Sequence, residues 1–352
     1  MKDLSPDTPP SPERRDFLRL GAVAGAGLVT AGLPAATAAA AAATPARATP
    51  SATGAMPTRN LGRTGHRVAL FSLGGQAALE QADNEAVAVP IIERALDLGV
   101  NYIDSAAAYG GEKRWSQRYI GRVMKHRRAA AFITSKTHDR TRDGSLRLLE
   151  ESLRLLNTDH LDLWQLHRLS SADDVERVFA PGGAMEALQQ AREQKMVRFL
   201  GITGHTEPGA LMEAMRRFAF DTLLLAINAA DPHHLSFSQE LLPMAVEQQL
   251  GIIGKKIPAR GRLLDSWTPQ PQPQREGEPP AKPGTLSMRE ALYYVLSLPV
   301  STVIIGCDSV AQLEENVALA RAFTPLSAAQ LAALSARAEP VARQALFFRR
   351  WA

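Results

Sequence analysis

Between residues 68 and 306 the chain repeats one pattern eight times, a short apolar run followed by a longer segment with helical spacing. The runs are VALFSLGG, VNYID, AFITSK, LDLWQLH, VRFLGIT, TLLLAIN, GIIGKK and VSTVIIG. Strands that read as unbroken hydrophobic stretches are buried on both faces, so they belong to a parallel sheet covered by helices. In SLRLLEESLRLL, Leu146, Leu149, Leu153 and Leu156 fall on one helical face, the stripe that a covering helix needs. Eight strand–helix units in about 240 residues predict an α/β chain folded as a (β/α)8 TIM barrel. A doubly wound open sheet would carry a glycine-rich phosphate loop after its first strand, and SLGGQAALE lacks the G-x-G-x-x-G spacing.

The flanks read differently. PERRDFLRLG at 12–21 pairs two arginines, and the apolar stretch GAVAGAGLVTAGL follows, then an alanine-rich run with A-x-A sites such as Ala46-Arg47-Ala48. A charged n-region, a short apolar h-region and small residues at the cut describe an export signal. Consecutive arginines before Phe17 and Leu18 resemble the twin-arginine type, which carries proteins out already folded. Residues 1–55 are therefore expected to be a signal and linker, read by the twin-arginine export machinery and cut between about residues 38 and 55. At about 13 residues the apolar run falls short of the roughly 20 that span a bilayer, so no stable membrane insertion is expected. The barrel is expected over 56–325, interrupted by a Pro-rich excursion at 265–284 after the seventh run. That connection opens on the catalytic face, so the excursion is a candidate lid. Residues 326–352 read as one more helix with an aromatic end, packed on the barrel.

The net charge of +4 is too mild to argue for nucleic acid or an anionic membrane. Cys307 is the single cysteine, so no internal disulfide can form.

Barrel enzymes place their chemistry at the C-terminal ends of strands. Polar residues at those ends are Asp104, Lys136, His167, Thr203 and Asn228, at intervals of 32, 31, 36 and 25 residues. Each interval is one strand-plus-helix unit, so three ionisable groups come from three successive strands, with Tyr109 on the loop beyond the first. A free phenol has a pKa of about 10, and an ammonium beside it would lower that value toward the working range. Lys136 is expected to supply this charge, with Asp104 holding it oriented. His167 stands across the cavity, able to hydrogen-bond a carbonyl oxygen. Such a site protonates an oxyanion as it develops, as reduction of a carbonyl by hydride requires.

In these segments the chain resembles the aldo-keto reductases, from about residue 56 to 322. MPTRNLGRTGHRVALFSLGG looks like their opening hairpin and first strand, IDSAAAYGGEKRWSQRYIG like their Asp-to-Tyr segment, and SLRLLNTDHLDLWQLH like the stretch ending in the active-site histidine. IIGCDSVAQLEENVALA is similar to their last strand and helix. The resemblance implies Tyr109 as general acid, Asp104 and Lys136 as its tuning pair, and His167 as substrate orienter. It implies a small-molecule aldehyde or ketone as substrate and NADP(H) or NAD(H) as cofactor. Thr203 and Asn228 would meet the carboxamide, Lys256 and Gly261 the pyrophosphate, and Gly306, Gln312 and Asn316 the adenosine end. The chain departs from the pattern at Gln117, Gly204 and Leu224. At the 2′-phosphate pocket, Asp308 and Gln312 stand where a basic residue would favour NADP.

Two other readings compete. His167, His205, Asp231, His233 and His234 fall at or beyond strand ends, as zinc ligands of a barrel hydrolase do, but that reading leaves Tyr109 and Lys136 idle. An exported nicotinamide-binding sensor with little turnover would fit a compartment in which soluble cofactor is not regenerated.

Overall fold

Parallel strands need a crossover between each neighbouring pair, and helices supply it here. The computed structural model describes residues 54–269 and 280–351. The export segment lies outside them except for Gly54 and Ala55, as do residues 270–279 of the Pro-rich excursion.

An antiparallel hairpin, β1 (Thr58–Asn60) and β2 (Arg67–Ala69), opens the structure. The first apolar run thus divides between the hairpin and the barrel. The barrel strands are β3 (Phe71–Leu73), β4 (Tyr102–Ile103), β5 (Phe132–Thr137), β6 (Leu161–Leu166), β7 (Val197–Gly204), β8 (Thr222–Ala226), β9 (Gly251–Lys255) and β10 (Thr302–Ile305). Each pairs in parallel with the next, and β10 returns to β3 to close the ring. The crossovers are α1 (Glu85–Asp97), α2 (Trp115–Arg127), α3 (Arg142–Leu156), the pair α4 (Ala172–Phe179) and α5 (Ala184–Glu193), α6 (Gly209–Arg217), α7 (Leu241–Glu247) and α8 (Met288–Leu296). Helix α9 (Val310–Arg321) follows β10. Among the described residues no helix is long and apolar enough to cross a membrane.

Alternation along the strands sorts the side chains. Tyr102, Phe132, Leu163, Leu224, Ile253 and Ile304 point inward and, with Leu61 and Val68, form a dry floor. The rings of Tyr102 and Phe132 stack there at 5.4 Å, and Phe199 packs on Phe132 at 6.2 Å. Intervening residues such as Ile103, Ile133, Trp164 and Leu225 join the larger core beneath the helices. Even steps onward from the floor lead to Asp104, Lys136, His167, Thr203 and Lys255 at the open end of the ring.

The tail is not one helix. It runs as α10 (Ala328–Ala338), a 3-10 turn at Glu339–Val341, and the short α11 (Ala342–Ala345). Pro340 has no N–H to continue the ladder, and the chain bends there. Beyond α11 the chain is latched. Arg349 is 4% exposed; its guanidinium meets Asp231 at 2.5 Å, donates to the carbonyls of Ala226 and Leu235, and lies 3.7 Å over the Phe237 ring. Asp231 in turn accepts from Ser236 and Ser238, both at 2.7 Å. His233 reaches the Ser335 carbonyl at 2.8 Å, and His234 stacks on Trp351 at 3.7 Å. Breaking a buried ion pair leaves one charge uncompensated, at a cost of roughly 3–5 kcal/mol. Asp231→Asn is therefore expected to lose about 3 kcal/mol of stability and make residues 339–351 sensitive to limited proteolysis; an unchanged unfolding midpoint and an unchanged cleavage pattern would show that the latch does not hold the tail.

Candidate active site

The C-terminal end of the barrel brings Asp104, Tyr109, Lys136 and His167 together. Lys136 is wholly buried, and its ammonium donates to Asp104 Oδ1 at 2.6 Å, the Ser105 carbonyl at 2.7 Å and the Tyr109 hydroxyl at 3.5 Å. Three N–H donors thus meet three oxygens. The ammonium also lies 4.9 Å from the centre of the Tyr109 ring. Across the opening, His167 sets its imidazole edge-on to that ring, with centroids 6.0 Å apart. It is 4% exposed, and its Nδ1 has no hydrogen-bond partner among the described residues.

Burial pushes the Tyr109 phenol well above its ordinary range, and the Asp104 charge pushes the same way. The sequence-based expectation had the opposite sign. Asp104 cancels the charge of Lys136 at closer range than the phenol feels it, so the pair acts as a near-neutral unit. Burial likewise draws the Lys136 amine down, opposed by Asp104. His167 is held well below the usual imidazole range, first by burial and then by Lys136. The result is a protonated phenol beside a neutral imidazole.

Two cavities meet at this point. A bowl of about 620 Å³ is lined by Tyr109, His138, Arg140, His167, Arg168, His205, Phe347 and Phe348, among others. A groove of about 630 Å³ runs away over Gly74, Gly75, Lys256, Arg260, Gly261 and Gly306 to Asp308, Gln312 and Asn316. Tyr109, His205, Lys256 and Arg260 line both. Of the residues expected to hold a dinucleotide, Lys256, Gly261, Gly306, Gln312 and Asn316 all line the groove. Its donor set suits one. Lys256 and Arg260, without an ion pair among the described residues, carry charges of the sign a pyrophosphate needs, and the N-terminus of α9, capped by Ser309, lies beside Asp308 and Gln312.

Thr203 and Asn228 are buried beside the groove rather than lining it. Thr203 Oγ1 accepts from Lys255, while Asn228 Oδ1 accepts from the Ala230 N–H at 2.9 Å and its Nδ2 donates to the Lys256 carbonyl at 3.1 Å. Lys255, absent from the expected set, faces the interior at 8% exposure, and burial pulls its amine well below the usual range. Counting two residues on from the inward Ile253 finds it. Lys256, next along, turns out of the strand with φ 65°. The bowl's aromatic wall, Phe347 and Phe348, also escaped the sequence reading. Asp231, His233 and His234, which the metal reading gathered, are engaged with the tail.

Residues 70–339 match the model of the aldo/keto reductase family. The uncharacterized oxidoreductase YqkF of Bacillus subtilis is 23% identical over 297 residues, covering 76% of this chain and 92% of that protein. The L-galactose dehydrogenase of Arabidopsis thaliana is 26% identical over 324 residues, covering 80% and 94%. Among solved structures, the aldo-keto reductase AKR11C1 from Bacillus halodurans in its holo form aligns with a TM-score of 0.66 at 23% identity, covering 80% of this chain and 96% of that one. An aldo-keto reductase from Klebsiella pneumoniae in complex with NADPH aligns with a TM-score of 0.63 at 20% identity, covering 81% and 95%. The chain belongs to the aldo/keto reductase family, and with it to the nicotinamide-dependent oxidoreductases.

The depressed imidazoles carry a consequence for stability. Burial holds both His167 and His205 neutral well below 6.5, whereas in the unfolded chain they take up protons below that pH. The unfolded state then binds more protons, so their contribution is present above about pH 6.5 and is lost as pH falls through the folded values. Denaturant titration at pH 7 and pH 5 is expected to show wild type losing stability on acidification and the His167→Gln, His205→Gln double variant losing less; parallel losses would remove these histidines from the account.

Proposed function

We propose that the protein reduces the carbonyl of an aldehyde or ketone, with NADPH or NADH as donor and Tyr109 as general acid. The observation that carries this reading is that Tyr109 lines both cavities while its hydroxyl rests 3.5 Å from the Lys136 ammonium. A reduced nicotinamide bound in the groove supplies the hydride. The substrate carbonyl then lies in the bowl, its oxygen between the Tyr109 hydroxyl and the His167 imidazole. As negative charge develops on that oxygen, Tyr109 gives up its proton and an alcohol forms. The raised pKa keeps this proton in place until it is needed. Lys136 keeps its hydrogen bond to the phenol oxygen as the proton leaves, and Asp104 holds the ammonium in place for it. Neutral His167 orients the oxygen without competing as an acid. Asp308 and Glu315 line the far end of the groove, so a preference for the 2′-phosphate of NADPH has no basic side chain among the described lining residues there to support it.

General acids typically contribute 10²–10⁴-fold. Tyr109→Phe is expected to lower carbonyl-dependent oxidation of NAD(P)H by at least about 100-fold while cofactor binding, followed by nicotinamide fluorescence, persists. Lys136→Met should also cripple turnover, because Asp104 is left as an unpaired buried charge beside the phenol. Turnover by Tyr109→Phe at the wild-type rate would end the general-acid assignment.

For the precursor we propose export of the folded protein under the direction of residues 1–55. Support comes from Arg14 and Arg15 and the short apolar stretch behind them. Cell fractionation should find wild type outside the cytoplasm and the Arg14→Lys, Arg15→Lys variant retained inside; identical distributions would refute this route.

A further inference from the structure

Three basic side chains around the cavities, Arg168, Lys256 and Arg260, have no hydrogen bond or ion pair with any described residue. Lys256 and Arg260 line both the groove and the bowl, within reach of a dinucleotide's phosphates. Arg168 lines the bowl alone. We propose that Arg168 is a substrate-anchoring residue, and that the carbonyl compound reduced here carries an anionic group, a carboxylate or a phosphate. This rests on the reductase reading and narrows its substrate class.

The placement of Arg168 is built. It follows His167 directly, just past the end of β6, and its backbone sits in the left-handed region at φ 56°. Arg140, also on the bowl wall, braces that turn, donating to the carbonyls of His167 and Arg168 at 3.0 and 3.1 Å. Arg140 is itself paired with Asp174 at 3.1 Å, and Asp174 accepts Ser170 N–H and Oγ at 3.1 and 2.6 Å. A loop so tied fixes the backbone from which the exposed Arg168 side chain reaches the bowl. The Arg168 charge acts directly on Tyr109, His138, His167, His205 and Lys255. Arg168 lines the same bowl as Tyr109 and His167.

No acid of the bowl answers it. Asp174 is engaged as described, and Glu80 accepts Gln76 Nε2 at 3.0 Å, its charge felt by Lys256 and Tyr109. Burial holds the His167 and His205 rings neutral, so they offer hydrogen bonds without charge. With Lys256 and Arg260 placed toward the groove, Arg168 is left as a guanidinium with no side-chain partner among the described residues, lining a cavity wide enough for a small organic acid. A guanidinium suits a carboxylate or phosphate in bidentate geometry.

The test compares matched carbonyl compounds on the full-length enzyme. One arm pairs 4-formylbenzoate with its methyl ester, the other pairs glyceraldehyde 3-phosphate with glyceraldehyde, so carboxylate and phosphate are told apart. Wild type is expected to favour the charged member of at least one pair by about tenfold or more in kcat/KM. Arg168→Met should collapse that ratio through KM, and Arg168→Lys should recover part of it. Equal use of both members by wild type, or an Arg168→Met protein that loses both members alike, would overturn the proposal. Calorimetric titration of 4-formylbenzoate and glyceraldehyde 3-phosphate into the Tyr109→Phe protein, with Arg168 intact or replaced by Met, provides a readout independent of chemistry. Charge-dependent binding without turnover by wild type would sink the reductase reading and leave the anion site standing. Turnover without charge preference would do the reverse.

Discussion

An ammonium shut inside a protein must find oxygen for every proton it carries, and this requirement at Lys136 organises the barrel mouth. Leaving such a charge unpaired costs several kcal/mol. The oxygens that answer it come from one short stretch, Asp104, Ser105 and Tyr109. The stretch is tied to both neighbouring strands. Asp104 N–H donates to the Leu73 carbonyl at 2.9 Å, and Ala107 N–H to the carbonyl of Lys136 itself at 3.3 Å. With β4 only two residues long, these contacts, rather than a long ladder, determine where the phenol stands.

The same alternation that builds the dry floor also builds the polar rim. Tyr102 and Asp104 face the same interior, as do Phe132 and Lys136, or Leu163 and His167. Moving any strand by one residue would exchange rim for helix-facing core, so the apolar pattern that specifies folding also specifies which polar side chains meet. Chemistry and stability share one register.

Much of this was legible in the residues themselves. The eight apolar runs specify a barrel, and the strand ends bring Asp104, Lys136 and His167 to one rim. Lys255 was readable as well, by stepping two residues from Ile253, but a lysine pair does not announce which member faces inward. The sign of the Tyr109 shift was not legible, because it depends on burial and on how completely Asp104 neutralises Lys136. Neither was the role of the tail. Nothing near Arg349 in sequence indicates that its partner is Asp231, more than 100 residues earlier, and Pro340 shows only that a continuous helix is interrupted.

The tail's position also affects the order in which the enzyme becomes complete. Phe347 and Phe348 wall the bowl, and the latch that seats them lies at Arg349. Chains are made from the N-terminus, and their early parts begin to fold first. All eight strands can therefore exist on the ribosome while the bowl still lacks a side. Residues 347–349 finish the bowl, so a chain cut short before them would keep its barrel and leave the bowl open on that side.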